Sequence, residues 1–238
     1  MVRKTIIFLN KSVDRVVFVV SLLLFLICLF AMVDAYNVYK GANDKSVIKY
    51  KPSVDNPGTL AELSPDAVAW LTVDDTKIDY PVMQGQNNDE YLNKDPYGEY
   101  SLSGSIFLDV RNDKNFNDDY SLIYGHHMEY EAMFGVLDRF FEKEYFDTHR
   151  TGTLIVTDGK SYSIRFFASC KAEANESMVF DPTEIKTSEL LDFLAENAAI
   201  YYPGVADKDA KIIALSTCMS GLNLKRMVIF GVLTETNE

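Results

Sequence analysis

The hydrophobic positions along this chain keep no single period, and each change of period marks a different kind of element. Residues 16–33 are eighteen in a row without a charge and with one hydroxyl, Ser21. A helix of that length rises about 27 Å, close to a hydrocarbon core of about 30 Å, so the run predicts a membrane span. A core helix of a soluble protein would interrupt the run with a polar face. A cleaved signal would carry a shorter apolar stretch and a small-x-small site, whereas Asp34-Ala35-Tyr36-Asn37 follows here. The segment reads as an uncleaved anchor.

Residues 36–58 turn polar and are punctuated by Gly41, Pro52 and the run 56–58, which predicts a stalk. Leu60, Leu63, Ala67 and Trp70 then fall near helical spacing, with Ser64-Pro65 restarting the helix. From there runs rich in Ile, Val, Phe and Tyr predict strands at 71–73, 77–83, 104–110, 120–124, 153–157, 161–171, 211–217 and 227–234. Two stretches return to helical spacing. Met133, Val136, Leu137, Phe140 and Phe141 make one apolar stripe over 130–146, and Leu190, Leu191, Leu194 and Ala198 make another over 187–200, with Ser188 as N-cap. The strands predict a mainly β domain, barrel or sandwich, with peripheral helices. There is no internal repeat, so the expected layout is a basic tail (1–15), an anchor (16–34), a stalk (35–58) and one folded domain (59–238).

Charge adds a direction. The 238 residues carry 23 Lys and Arg against 35 Asp and Glu, a net of −12. Up to Val33 four bases, Arg3, Lys4, Lys11 and Arg15, face one acid, Asp14, a net of +3 that leaves −15 for the rest. Bases ahead of the span keep the N-terminus in the cytoplasm and send the following domain outside. The acidic balance excludes a general nucleic-acid binder, which needs clustered Lys and Arg.

Three cysteines are present, and Cys28 lies inside the apolar run. Cys170 and Cys218 are left for the exported part, where a pairing between them stays open. Cys170 sits in a predicted strand, the usual place of a small core hydrophobe. Cys218 ends the apolar strand Lys211-Ile212-Ile213-Ala214-Leu215-Ser216-Thr217 just before a turn at 219–221, where a thiol is held and yet reachable. Arg226 opens the next strand eight residues on, where a guanidinium can return toward that thiol and hold a carbonyl or an oxyanion. His126 follows Ser121-Leu122-Ile123-Tyr124-Gly125, again at a strand end, and a His beside a Cys supplies thiolate character and a proton shuttle. His126, His127 and Cys218 as zinc ligands are disfavoured, because adjacent residues on a strand face opposite ways.

At these residues the chain resembles the sortases, and among them class B. Leu215-Ser216-Thr217-Cys218 is similar to the family's signature before its nucleophile, Tyr124-Gly125-His126 to the strand end bearing its histidine, and Arg226 before Val228-Ile229 to its arginine. Ile78-Asp79-Tyr80-Pro81-Val82 and Gly104-Ser105-Ile106-Phe107-Leu108-Asp109 support it, and the likeness runs from about Leu60 to Leu233. It implies a closed β-barrel of about eight strands and a cysteine transpeptidase needing no cofactor or metal. It further implies catalysis by His126, Cys218 and Arg226. The partners implied are secreted surface proteins with a C-terminal sorting signal cut after Thr, and an acceptor amine from a peptidoglycan precursor or a pilin of a Gram-positive bacterium. A hydrolase, in which water resolves the thioester, and a non-enzymatic anchored binding domain, in which the Cys, His and Arg are accidents of position, are the remaining alternatives.

Overall fold

A computed structural model describes residues 2–53, 59–218 and 225–236, Cys218 entering by its backbone alone. The turn expected at 219–221 and the punctuation at 56–58 lie outside the described residues. The chain forms two compact units, one up to Lys40 and one from Gly41 onward. Most of the first is helix α1 (Val2–Ala42), which between Val16 and Val33 is long and apolar enough to cross a membrane.

Among the described residues the second unit is built on nine strands. β1 (Ala67–Val73) pairs antiparallel with β2 (Asp79–Met83), which runs parallel to β3 (Ile106–Leu108). β4 (Tyr120–Gly125) is antiparallel to β3 and parallel to β8 (Lys211–Cys218), and β8 is antiparallel to β9 (Lys225–Glu235). β9 pairs along the length of β6 (Ser161–Glu173), and β6 returns to β5 (Thr151–Val156), which meets β1 and closes a ring of eight. The ninth strand, β7 (Ile200–Tyr201), sits outside the ring on the β6 edge that β5 leaves free, next to a register shift between Phe166 and Ala168. Closure removes free edges, so most backbone groups of these strands are satisfied within the barrel.

Two apolar layers explain why β8 reads as one unbroken hydrophobic run. Ile213 and Leu215 point into the barrel with Ile123, Ile164 and Ile229, while Ile212 and Ala214 point outward with Phe230 and Val228. Helix α5 (Thr187–Asn197) covers that outer face through Leu190 and Leu194, each fully buried and each contributing about 1.5–3 kcal/mol. A strand buried on both faces shows no alternation.

Four expectations shift in detail. The helix expected at 60–70 is only α2 (Leu60–Leu63), and β1 already begins at Ala67, because Ala67 to Leu71 are all buried as a two-faced strand. The helix expected at 130–146 is split into 3-10 turns at Glu129–Glu131 and Gly135–Phe141 and a short α3 (Lys143–Thr148). Tyr130, Glu131 and Met133 adopt φ of 56°, 62° and 50°, which breaks a continuous helix, and the 3-10 spacing still buries Val136, Leu137 and Phe140. α5 starts after Lys186 rather than Ser188 and stops at Asn197. In the segment 35–58, α1 persists to Ala42, a 3-10 turn follows at Lys45–Tyr50, and Val47 is buried with Leu60, Trp70 and Tyr91.

Candidate active site

Strand register brings the three sequence-selected positions to one end of three neighbouring strands. Gly125 of β4 is level with Thr217 of β8, and Cys218 of β8 is the cross-strand partner of Arg226 on β9. His126, one step past Gly125, is therefore level with Cys218. Adjacent strands lie about 4.8 Å apart, so the backbones of all three fall within roughly 10 Å.

Close packing fixes where the imidazole goes. A Cβ on Gly125 would lie 2.5 Å from Ile106 and 2.7 Å from Phe134, so β4 lies against its neighbours and the chain departs at His126. The His126 Nε2 is 2.7 Å from the Leu92 carbonyl oxygen. A carbonyl only accepts, so Nε2 carries a proton in this contact and Nδ1 is left to exchange one. Gly104, at φ +57°, backs the arrangement: a Cβ there would stand 2.5 Å from the Leu92 oxygen and 2.9 Å from the His126 ring. His127 turns the other way and meets the Asp138 carboxylate at 2.9 Å. The two histidines thus serve different surroundings, as opposite-facing neighbours do.

His126, Leu92, Ser216 and Arg226 line a cleft of about 460 Å³, and Ala174 and Phe180 from the insertion between β6 and β7 also line it. Ser216 is fully buried, and its hydroxyl has no hydrogen-bond partner among the described residues.

Arg226 is held in an unusual way for a cation. Among the described residues no carboxylate comes within ion-pair reach of it, and its guanidinium lies 5.6 Å from the Tyr124 ring centroid and 5.5 Å from that of Phe180. Aromatic faces attract a cation without neutralising it, so the charge stays available to a ligand. The Tyr124 hydroxyl donates to Asp109 at 3.1 Å, and burial together with that carboxylate pushes the phenol well above its ordinary pKa. Burial would raise the Asp109 carboxyl too, but hydrogen bonds from the Arg111 side chain and backbone overcome it and hold the group below the usual carboxylate range. This network was not visible in the sequence; the nearest signal was the polar pair Asp109 and Arg111 straight after an apolar strand.

The other thiol of the second unit is inert by environment. Cys170 is buried, its Sγ faces the Asn197 carbonyl at 3.6 Å, and burial, aided by Glu176, pushes its pKa up to about 11. Cys170 is level with Val228 on β9, whereas Cys218 is two strands away on β8. Two strand spacings, roughly 9.5 Å, exceed the reach of a disulfide, so the pairing left open above does not form.

Comparison with known proteins identifies the family. A family model described as a sortase domain matches residues 71–234. The chain is 35% identical to sortase B of Listeria monocytogenes over 181 residues, 73% of this chain and 72% of that protein. It is 31% identical to sortase B of Staphylococcus aureus over 187 residues, 75% of each. Among solved structures it is similar to a class B sortase of Streptococcus pyogenes involved in pilus biogenesis, with 38% identity and a TM-score of 0.68 over 74% of this chain and 96% of that one.

Proposed function

Because the chain belongs to the sortase family, and within it to class B, and is thereby a cysteine transpeptidase, we propose that His126, Cys218 and Arg226 are its catalytic residues. Cys218 as thiolate attacks the carbonyl carbon of a Thr in the sorting signal of a secreted surface protein. A carbon–sulfur bond forms, the Thr carbonyl becomes an oxyanion, and Arg226 stabilises it with a charge that no carboxylate among the described residues offsets. The C–N bond then breaks, the leaving amine takes a proton from His126 Nδ1, and a thioester remains on Cys218. An incoming amine reverses the sequence: it attacks the thioester, gives its proton to His126 and expels the thiolate.

The observation that carries this reading is the register, which levels His126, Cys218 and Arg226 on adjacent strand ends beside one cleft. The α1 span serves as anchor, with the basic tail in the cytoplasm and the domain outside, where acceptor amines of the cell wall are found. A peptidoglycan precursor is the acceptor. The pilus role of the S. pyogenes relative makes a pilin Lys the second reading.

The test uses the full chain in detergent micelles, offered LPxTG-like and NPxTN-like peptides with and without triglycine or a Lys-bearing peptide, and read by mass spectrometry. Cleavage after Thr with an amine adduct, absent in Cys218→Ala, supports the transpeptidase and names its motif class. An adduct only with the Lys peptide favours pilin polymerisation, and cleavage without adduct favours the hydrolase. If neither peptide is cut, the reading fails.

A further inference from the structure

Two rings flank Arg226, and both are tied to one side chain that is not among those lining the cleft. Arg111 binds Asp109 with Nε and one terminal nitrogen, each at 2.9 Å, in a fork-to-carboxylate pair. Asp109, fully buried, also accepts the Tyr124 hydroxyl at 3.1 Å, which fixes the first ring. The same Arg111 donates at 2.7 Å to the carbonyl of Phe180, the residue whose ring is the second flank, and at 3.2 Å to the carboxylate of Asp181. Phe180 ends α4 (Ser177–Phe180), part of the insertion between β6 and β7. One guanidinium thus spans 69 residues of sequence and joins the insertion to the loop after β3.

The geometry points to Arg111 as a positioning residue for Arg226. Its fork orients Tyr124 through Asp109 and holds Phe180 by its backbone, so the spacing of the two aromatic faces depends on one group. Donation of the Tyr124 hydroxyl to a carboxylate also enriches the ring in electron density, which deepens the face that Arg226 sits on. A lysine in place of Arg111 keeps the charge but not the planar fork, and can serve Asp109 or the Phe180 carbonyl but not both in this geometry. Asp181 and Asp109 are the charged groups that face Arg111, and both remain in that variant.

This inference rests on the catalytic role proposed for Arg226, and the experiment separates the two. In the full chain in detergent micelles, the Nε–H resonance of Arg226 is assigned by its disappearance in Arg226→Lys. It is expected to be shifted upfield in the parent by the two rings and to move back toward the open-chain position in Arg111→Lys. Turnover is then compared in a double-mutant cycle. Arg111→Lys is expected to lower kcat/KM about tenfold in the parent and less than twofold in an Arg226→Ala background, with Arg111→Ala at least as impaired as Arg111→Lys. Thermal unfolding of each variant identifies any that fail to fold, and Tyr124→Phe, which keeps the ring and drops the hydroxyl, is expected to lose part of the same shift. An Arg226 resonance unchanged in Arg111→Lys overturns the positioning role, as do losses that multiply in the cycle. A lost shift with no turnover in any protein upholds the positioning role and overturns the function proposed above.

Discussion

Replacing Asp109 by Asn tests the buried centre of the site through stability. The side chains are nearly the same shape, but the carboxylate accepts on both oxygens. Oδ1 receives the Arg111 backbone N–H at 3.0 Å and Nε at 2.9 Å, while Oδ2 receives a terminal Arg111 nitrogen at 2.9 Å, Asn88 at 3.0 Å and the Tyr124 hydroxyl at 3.1 Å. Whichever way the amide sits, its NH2 meets at least two N–H donors and those bonds are lost. Charge-assisted bonds are worth about 1.5–3 kcal/mol, and the lower end applies because the Arg111 side chain is 38% exposed and screened by water. The expected cost is about 3 kcal/mol, or a fall in Tm of about 6–12 °C for a domain of this size. Trp70, the only tryptophan, is fully buried beside the barrel, so its fluorescence reports unfolding of that unit without contribution from α1. Linkage fixes the sign with pH. The native Asp109 carboxyl is held below its unfolded value, so its stabilisation is complete above the unfolded pKa of about 3.9 and is lost as pH falls through the native value. The Tm gap between parent and variant should be full at pH 7 and begin to close below about pH 4. A gap under 2 °C at pH 7, or one that stays constant down to pH 3, would refute the reasoning.

Other expectations follow from the same geometry. His126→Ala should lower turnover at least a hundredfold, whereas His127→Ala, which gives up a pair with an exposed carboxylate worth at most about 1 kcal/mol, should lower it less than threefold; equal losses in two folded variants would reassign the histidine. Cys170 should resist an alkylating agent in the native chain at pH 7.5 and react only on unfolding, because its thiol is buried with a pKa near 11; rapid native labelling at that position, read by peptide mapping, would contradict its placement. Gly104→Ala should cost about 1–2 kcal/mol for its left-handed φ and, by pushing on Leu92 and His126, reduce turnover tenfold or more; a variant that melts lower yet turns over normally would confine Gly104 to the fold.

The ring of eight strands was legible because each carries a run of β-branched and aromatic residues bounded by turn formers, and the resemblance supplied its closure. β7 was not, since two residues at a register shift leave no pattern. The stripe from Met133 to Phe140 was read correctly as buried and wrongly as one helix: spacings of three and four fit 3-10 turns and an α-helix alike, and positive φ at Tyr130, Glu131 and Met133 has no signature in those residue types. At Leu60 to Trp70 the helical spacing was a coincidence of a short helix followed by a strand buried on both faces. The positions of His126, Cys218 and Arg226 at strand ends were readable locally, one strand at a time. The Asp109, Arg111 and Phe180 links were not, because partners 69 residues apart share no local pattern and only the folded barrel brings them together.

The order in which the chain is made gives the parallel pairing of β4 with β8 a further meaning. β4 is finished ninety residues before β8, yet its inner edge has no partner until Ile212 aligns with Tyr120, and β9 must follow to close β8 against β6. Such long-range pairing carries a loop-closure cost and is slow compared with local contacts. During synthesis the thiol is therefore absent while the seven strands before β8 emerge, and Cys218 is fixed in the sheet only as the ring shuts. On the role proposed for Cys218, a nascent chain cannot take an acyl group from a passing protein, and loss of β9 leaves an open sheet with two raw edges, fit for a protease rather than for chemistry.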